Sequence, residues 1–507
     1  MKRYPKFLYF LALMGMILIG CETDDNIFPD IETETPDKDE PQTVADYPVE
    51  DFMWQAMNAY YFWQDEVDNL ADDKFTGSSD PDYIDFLASE AHPGAFFDDK
   101  LLSDQDRFSY WNEDYKVHTK ASSGITKSNG LEFNLYSDDG ATVYGVVIYI
   151  APGSDASGQD IKRGDVFIGV NGQDLNVDNY IPLLFSEAST YVLNMADFVD
   201  SVPVGNGKEI PLTKEDNFAE NPILTSKVIE RNGIKIGYLM YNQFVADYDD
   251  QLNEVFVTFK SENISELILD FRYNPGGRVS SAIQIASAVY GTKTDEVFLK
   301  AKYNDKIQST LSDGQVEDKF FDKTIGSKTP LTTLELNRVF VLTTNSSASA
   351  SELVINGLEP YVDVVQVGTK TRGKNEFSLT LVDDIENGYI YDPEREQFIN
   401  PDNQWAIQPL LGRNANADGF FDYTEGLVPD FELTENIESL GVLGDEDERM
   451  LSFTLDLITG ATAKKSILFD HALSAKPIAN SKMFKPTSDH MFMDGLVKPT
   501  ALTSQQK

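Results

Sequence analysis

Two short segments of the chain carry residues that could together attack a carbonyl carbon. Residues 347–352 read Ser-Ala-Ser-Ala-Ser-Glu, and residues 371–374 read Thr-Arg-Gly-Lys. A serine hydroxyl attacks a carbonyl at neutral pH only beside a base, and a lysine can be that base only where burial lowers its pKa. Lys374 is therefore a candidate base for Ser349, the middle serine of the run.

Histidine, the usual partner of a nucleophilic serine, is rare in this chain. It occurs only at His92, His118, His471 and His490, far from both segments. A serine–histidine arrangement would need an imidazole from a distant part of the chain. The distribution favours lysine.

A predicted strand at residues 339–343 leads into the serine run, and a predicted helix follows it. Ser349 and the Ala350 amide would then lie at a helix N-terminus, where free N–H groups and the dipole stabilise negative charge. Gly276 and Gly277 follow another predicted strand, and without side chains they let a backbone amide approach a substrate carbonyl. One of these glycine amides and the Ala350 amide are predicted to form a two-donor oxyanion hole.

The same residues also fit simpler roles. Ser349 and Glu352 have the spacing of a helix capping box, and a lone lysine is usually solvated at the surface. Asp270, at a strand end, is a candidate acid, but we expect it to order the following turn through Arg272. The glycine pair, Lys374 and the distant histidines together favour the catalytic interpretation of Ser349.

The composition predicts a protein that is folded over most of its length. The 507 residues are 41% hydrophobic and 12% aromatic, enough for the cores of several domains. The 84 acidic against 41 basic residues give a formal charge of -43, which would repel phosphate backbones and anionic lipid head groups. We therefore expect no nucleic-acid partner.

Residues 1–20 are typical of a signal peptide. The chain opens with Met-Lys-Arg, and the apolar run that follows at residues 7–19 is too short to span a bilayer. Residues 18–21, Leu-Ile-Gly-Cys, resemble the lipobox of bacterial lipoproteins, in which the cysteine is acylated; an uncleaved anchor is the alternative. Cys21 is the single cysteine, so its acylation would leave no thiol for disulfides, catalysis or zinc.

Residues 21–48 are predicted to form a lipidated cysteine followed by a disordered tether. The segment is acidic, rich in Thr and Pro and poor in large apolar residues, so it cannot offset the entropy of ordering. We expect the folded part to be held at the outer membrane of a bacterial cell envelope, on its periplasmic or its outer face.

Residues 49–120 are predicted to form a small N-terminal helical domain, because apolar residues recur there at helical spacing. Trp54, Tyr61 and Trp63 are expected in its core. A carbohydrate platform built from these aromatics, and with it a surface glycan-binding protein, is the alternative.

Residues 121–215 resemble a PDZ domain. Three segments stand in the order that this family uses: Pro-Gly-Ser at 152–154, Arg-Gly-Asp-Val at 163–166 and Val-Asn-Gly at 170–172. The resemblance implies a β-rich domain that binds an extended peptide by adding it as a strand to an open sheet edge.

Four residues stand where the carboxylate-binding loop of the PDZ family begins, and they are the expected peptide contacts. They are Gly130, Leu131, Glu132 and Phe133. Glu132 replaces the usual second glycine of that loop. This departure predicts weaker capture of a C-terminal carboxylate.

Residues 225–445 alternate predicted strands and helices, which is typical of α/β layering. The predicted strands are at residues 236–241, 267–271, 339–343 and 364–368, and one predicted helix spans 279–290. Residues 292–334 read as an irregular insertion or flap. The extension at 446–507 contains a predicted helix at 451–458, and the chain after Pro477 is expected to be loose.

Four motifs resemble, in order, those of the C-terminal processing (tail-specific) serine peptidases. They are Leu-Asp-Phe-Arg-Tyr-Asn-Pro-Gly-Gly at 269–277, the runs at 347–352 and 371–374, and Gly-Leu-Val-Pro-Asp at 426–430. The resemblance implies a multidomain α/β protein with a ClpP/crotonase-like peptidase core at 225–445 and no metal or other cofactor. By this resemblance Ser349 is the nucleophile, Lys374 the general base and Glu352 a residue that helps to order the site.

Two positions depart from the family pattern. Many members carry a glycine directly after the lysine and a glutamine four places after it that orients the amine, but this chain has Asn375 and Ser378. Glu352 or Ser378 would then hold the amine. We expect a serine endopeptidase that cleaves extended or C-terminal segments of proteins through an acyl-enzyme; the alternative is a non-catalytic peptide-binding lipoprotein of the same fold.

Overall fold

The computed structural model describes residues 42–460, 476–485 and 491–493. The predicted signal peptide, Cys21 and most of the predicted tether lie outside this range. None of the helices within it is long and apolar enough to cross a membrane.

The N-terminal region is mainly helical, and a proline begins each of its first three helices, where its fixed φ fits and no amide is lost. Its elements are α1 (Pro48–Tyr60), α2 (Pro81–Leu87), α3 (Pro93–Lys100), β1 (Tyr110–Asn112) and α4 (Tyr115–Ser122). Tyr61 and Trp63 are buried, and Trp54 packs partly buried against the same core. The core prediction is therefore confirmed for Tyr61 and Trp63, which leaves neither ring exposed as part of a carbohydrate platform.

The middle region is a β-structure with one short helix. Its elements are β2 (Ile125–Ser128), β3 (Leu131–Ser137), β4 (Tyr144–Ile150), β5 (Val166–Val170), β6 (Gln173–Asp174), α5 (Tyr180–Leu184), β7 (Thr190–Val199), β8 (Val202–Thr213) and β9 (Glu215–Ala219). Strands β3, β4, β5, β7 and β8 lie side by side in that order, with antiparallel neighbours. This order leaves β3 at one end of the row.

The third region alternates strands and helices. Its elements are β10 (Ile223–Arg231), β11 (Ile234–Tyr241), α6 (Asp249–Ser261), β12 (Glu266–Asp270), β13 (Gly277–Arg278), α7 (Val279–Tyr290), β14 (Val297–Tyr303), α8 (Asp305–Gln308), β15 (Glu317–Lys319), β16 (Arg338–Thr343), α9 (Ala350–Leu358), β17 (Asp363–Gly368), β18 (Glu376–Ser378), β19 (Leu381–Val382), β20 (Ala406–Gln408), β21 (Leu410–Ala415) and β22 (Phe431–Glu432). After it come α10 (Arg449–Thr459), β23 (Lys476–Asn480) and β24 (Met491–Phe492). The four strands predicted here correspond to β11, β12, β16 and β17, and the helix predicted at 279–290 is α7.

A six-stranded sheet of order β10-β11-β12-β16-β17-β22 positions the site. All its neighbours from β11 to β22 are parallel, and Asp270 is opposite Leu342 while Thr343 is opposite Gly368. The carboxyl ends of parallel strands meet at one edge of a sheet. The glycine pair, the serine run and the Lys374 segment follow β12, β16 and β17, so they leave the sheet at the same edge.

A second six-stranded sheet, of order β13-β24-β18-β21-β14-β15, overturns two expectations. The predicted flap at 292–334 contributes β14 and β15, and β14 pairs with β21, so much of it is an integral part of the fold. The described residues after Pro477 are not loose either. β23 pairs with β3, and β24 lies between β13 and β18.

Candidate active site

Ser349 lies in a strained turn immediately before α9. Its φ of 64° and ψ of -115° are a backbone conformation that costs a non-glycine residue about 1–3 kcal/mol. Hydrogen bonds to the loop after β12 hold the turn: Ser347 Oγ donates to Phe271 O (2.8 Å), and Ala348 N donates to Asn274 O (3.1 Å). A sharp strand-to-helix turn of this kind is typical of sites that present a serine nucleophile.

The Ser349 hydroxyl is buried and has no hydrogen-bond partner among the described residues. Ser349 and Glu352 stand as in a capping box, and Ser349 N donates to Glu352 Oε2 (2.7 Å), but the hydroxyl makes no N-cap hydrogen bond. Capping therefore explains Glu352 and leaves the hydroxyl without a structural role.

Glu352 connects the Ser349 turn to the Lys374 segment. Besides Ser349 N, its carboxylate accepts from Thr371 Oγ1 (2.5 Å), Gly373 N (2.7 Å) and Lys374 N (2.9 Å). Burial raises its pKa to about 7, and these uncharged donors offset the cost of burying the charge only in part. Glu352 thus orders the backbone on both sides of the candidate pair.

Lys374 is fully buried, and its amine lies 4.7 Å from the centre of the Phe108 ring. The neighbouring Arg107 Nη2 donates to Gly373 O (2.5 Å). Sequence reasoning missed both Arg107 and Phe108, which the N-terminal region brings to this segment. The one local signal was Asp106, whose side chain accepts from Phe108 N (2.9 Å) in an Asx turn.

The two glycines of the predicted oxyanion hole differ. Gly276 N donates to Asn274 Oδ1 (2.9 Å), so its amide is already engaged. Gly277 has φ 133°, and a Cβ there would lie 2.3 Å from Phe244 O, so only glycine fits. Of the pair, Gly277 remains the candidate donor beside Ala350, the first residue of α9.

Asp270 is engaged in ion pairs and is not placed as a free acid. Its carboxylate accepts from Arg272 Nε (3.0 Å), Arg272 Nη2 (2.8 Å) and Tyr238 OH (2.7 Å). Arg272 is fully buried and also pairs with Glu448 (2.8 Å) and Glu435 (3.0 Å). The prediction that Asp270 orders the turn through Arg272 is confirmed.

The two positions that depart from the family pattern have other partners. Ser378 Oγ donates to Met491 O (3.1 Å) and accepts from Gln408 Nε2 (2.9 Å). Asn375 Nδ2 donates to Phe421 O. Ser378 Oγ thus has partners on β24 and β20, and its contact with the Lys374 amine stays a prediction.

The four predicted peptide contacts lie at the start of β3. Gly130 has φ 75°, and Leu131 and Phe133 are buried. Glu132 is also buried, and its carboxylate binds Lys485 Nζ (2.5 Å) and the Ser481 hydroxyl. A strand does add to the edge of β3, and in this structure it comes from the chain itself.

Two family models match the chain. The model of peptidase family S41 matches residues 235–412, and that of the peptidase S41 N-terminal domain matches residues 49–110. The chain belongs to peptidase family S41. The first match contains both Ser349 and Lys374, and the second contains Phe108. Residues 121–215, for which a PDZ-like domain is predicted, lie between the two matches.

Curated relatives and a solved structure agree with this family. The chain is 25% identical over 362 residues to carboxyl-terminal-processing peptidase 1, chloroplastic, of Arabidopsis thaliana, covering 68% of this chain and 66% of the relative. It is 26% identical over 267 residues to the carboxyl-terminal-processing protease of Picosynechococcus sp., covering 52% and 58%. The chain thus spans only 58% to 66% of the length of these two relatives. A crystal structure assigned to the S41 proteases, from Bacteroides fragilis NCTC 9343, matches with a TM-score of 0.61 and 25% identity, covering 81% of this chain and 97% of that one.

Proposed function

We propose that this S41 peptidase is a serine endopeptidase of the C-terminal processing type, with Ser349 as nucleophile and Lys374 as general base. One observation carries the proposal. The Ser349 hydroxyl is buried at a strained helix N-terminus without a partner among the described residues, and Glu352 joins its backbone to that of Lys374. A hydroxyl kept out of the hydrogen-bond network at such a turn is available for chemistry.

The neutral Lys374 amine takes the Ser349 proton as Oγ attacks the scissile carbonyl. The Gly277 and Ala350 amides stabilise the oxyanion, and one such donor is typically worth about 3 kcal/mol of barrier. The ammonium then protonates the leaving amine, and water attacks the ester with the amine again as base. The Phe108 ring 4.7 Å from the amine shields it from water.

Peptide capture is assigned to the PDZ-like region. An extended segment of a protein substrate would add to β3 beside Gly130, Leu131, Glu132 and Phe133 and continue to Ser349. The end of β3 and the strands around the site would then bind the main chain of the substrate and not particular side chains. Such binding suits a substrate that is unfolded or has a free C-terminal segment.

The anchor at Cys21 completes the proposal. Acylation there would hold the enzyme at the outer membrane of the cell envelope, near protein substrates on its periplasmic or outer face. Labelling of the wild-type chain with an alkyne fatty acid, abolished by Cys21→Ser, is the expected result; equal labelling of both would contradict it.

A cleavage assay on an unfolded protein tests the site. It compares the wild type with Ser349→Ala and Lys374→Ala. We expect a loss of at least 1,000-fold for both variants, since each removes one partner of the proton transfer. Equal cleavage by all three would reject the assignment of Ser349 and Lys374. No cleavage by any of them would favour the non-catalytic peptide-binding alternative, and polysaccharide affinity that survives both substitutions would favour glycan binding.

The pH dependence of kcat/KM tests the base. Activity should rise between about pH 6 and 9, because only the neutral amine accepts the proton. Glu352 also titrates here, with its pKa at about 7, so Glu352→Gln is the control: the rise should persist in its residual activity. A flat profile would contradict a lysine base.

A further inference from the structure

The chain docks its own late segment at two places where peptide is expected. We call residues 476–485 and 491–493 the tail segment. Its β23 pairs antiparallel with β3, with Asn480 opposite Asn134. Its β24 pairs in parallel with β13 on one side and β18 on the other.

The first docking point is centred on Glu132. Phe133 N donates to Ser481 Oγ (3.0 Å), Ser481 N donates to Phe133 O (2.9 Å), and Lys485 Nζ binds Glu132 Oε1 (2.5 Å). Lys482, from the same segment, donates to Asn242 O (3.0 Å) and Tyr273 O (3.1 Å) in the peptidase core. The glutamate that departs from the PDZ pattern thus binds the tail segment.

The second docking point is a slot one strand wide in the candidate active site. One wall is β13, which begins at Gly277, and the other is β18, which begins two residues after Lys374. Arg278 N donates to Phe244 O (3.0 Å). Since amides alternate along a strand, the Gly277 amide points the other way, toward β24.

Met491 fills this slot as a bound peptide residue would. Its side chain is fully buried, its Sδ accepts from Asn414 Nδ2 (3.4 Å), and its carbonyl accepts from Ser378 Oγ (3.1 Å). Met493 N donates to Ser378 O (3.1 Å). Backbone pairing on both sides with one side chain in a pocket is how an extended polypeptide is recognised by strand addition.

We propose that the tail segment is a resident peptide ligand that occupies both the β3 edge and the slot between β13 and β18, so that a protein substrate must displace it. The inhibitory part of this proposal rests on the proposed function of Ser349 and Lys374. The slot assigns the ligand class: an extended polypeptide that places an unbranched apolar side chain beside Asn414 and pairs with Gly277 and Ser378.

Release of the tail segment after folding tests the inhibition. A recognition sequence for a specific protease is inserted between residues 460 and 476 of the otherwise complete chain, which is cut after purification and separated from the released piece. We expect kcat/KM for an unfolded protein to rise at least tenfold, and the synthetic peptide of residues 476–493 to reverse the rise competitively where a scrambled peptide does not. An unchanged rate after verified loss of the piece would overturn the proposal.

Binding without turnover separates this proposal from the proposed function. In the cut and emptied Ser349→Ala protein, fluorescein-labelled peptide 476–493 should bind saturably, and Glu132→Gln should weaken binding at least tenfold. Glu187→Gln, at an exposed glutamate of the same region, is the matched control and should not. Failure of the site assignment leaves this binding intact, whereas no binding refutes the resident ligand.

The mass of the uncut chain gives a third outcome. Wild type and Ser349→Ala should both keep the tail segment during prolonged incubation. Loss of the segment from the wild type alone would make it a substrate and overturn its assignment as a resident ligand.

Discussion

Glu352 and Glu132 are both fully buried at places where peptide is expected, but their surroundings are opposite. Glu352 accepts from three backbone amides and one hydroxyl, and burial raises its pKa to about 7. Burial also acts to raise the pKa of Glu132, but Lys485 and Lys482 outweigh it and the net pKa is lowered. The Glu352 carboxylate is held by neutral groups, and the Glu132 carboxylate by cations.

The two glutamates differ in whether their partners depend on the tail segment. The donors to Glu352 belong to the Ser349 and Lys374 segments themselves, so they are present whether or not a peptide is bound. The Glu132–Lys485 pair joins residues 353 positions apart, and its cation arrives only with the tail segment. An undocked tail would leave Glu132 without this partner, and the next peptide would have to supply a cation or a donor.

Glu352→Gln should have the largest effect on this comparison. An amide has one acceptor oxygen and an NH₂ that would face backbone donors, so the Ser349 and Lys374 segments would lose their common anchor. We expect kcat to fall at least 100-fold with an unchanged circular dichroism spectrum. Glu132→Gln is the matched control and should not lower kcat; equal losses would erase the distinction between the two sites.

The pH dependence of stability should have opposite slopes for the two glutamates. Glu352 has a raised pKa, so the folded state binds more protons between about pH 4.5 and 7, and its contribution to the free energy of unfolding falls as pH rises. In urea titrations, the free energy of unfolding of the wild type minus that of Glu352→Gln should fall by about 2 kcal/mol from pH 5 to 7. The Glu132 contribution is present above its ordinary value of 4.5 and is lost as pH falls through its lowered folded pKa, so wild type minus Glu132→Gln should decrease on acidification. Slopes of the same sign would contradict these assignments.

A double-mutant cycle of Glu132→Ala and Lys485→Ala sharpens the peptide-site half of the comparison. The pair is 2.5 Å apart with Glu132 buried and Lys485 partly exposed, which predicts a coupling of about 1.5 kcal/mol in the free energy of unfolding. Lys235 and Glu262 form an exposed pair at 2.9 Å and serve as the reference cycle, expected near about 0.5 kcal/mol. Equal couplings would show that burial adds nothing at Glu132.

Thr371→Val should have the smallest effect. It removes one of the four donors to Glu352 and also the oxygen that accepts from Leu427 N (2.7 Å), but the three amides stay. We expect about a fivefold loss of kcat and a Glu352 pKa above that of the wild type. The raised pKa would be measured as a shift to higher pH of the range over which the free energy of unfolding falls. Thr369→Val, two residues earlier in the same segment, is the control and should leave both unchanged.

The sequence predicted what local patterns specify. Buried apolar runs gave the strands of the parallel sheet, and Gly291 correctly ended α7 after Tyr290. Four motifs placed Ser349, Glu352 and Lys374 at one edge because parallel strands fix where their following loops emerge. The order of the strands was enough to bring the three segments together.

What it missed depends on partners distant in the chain. β24 has two residues and therefore no periodicity, and its pairing with Ser378 spans 113 positions. In the sequence Glu132 is only a departure from the PDZ loop pattern, and its ion pair with Lys485 becomes visible only in the folded chain. Phe108 carries no signal of its own, since only folding of the N-terminal region brings it over Lys374.

The place of β24 in the chain has a consequence for biogenesis. Domains form from the N-terminus onward during synthesis, and β13 and β18 are complete well before β24 is made. During synthesis both walls of the slot between β13 and β18 therefore exist before β24 does. The residues that fill the slot are added last.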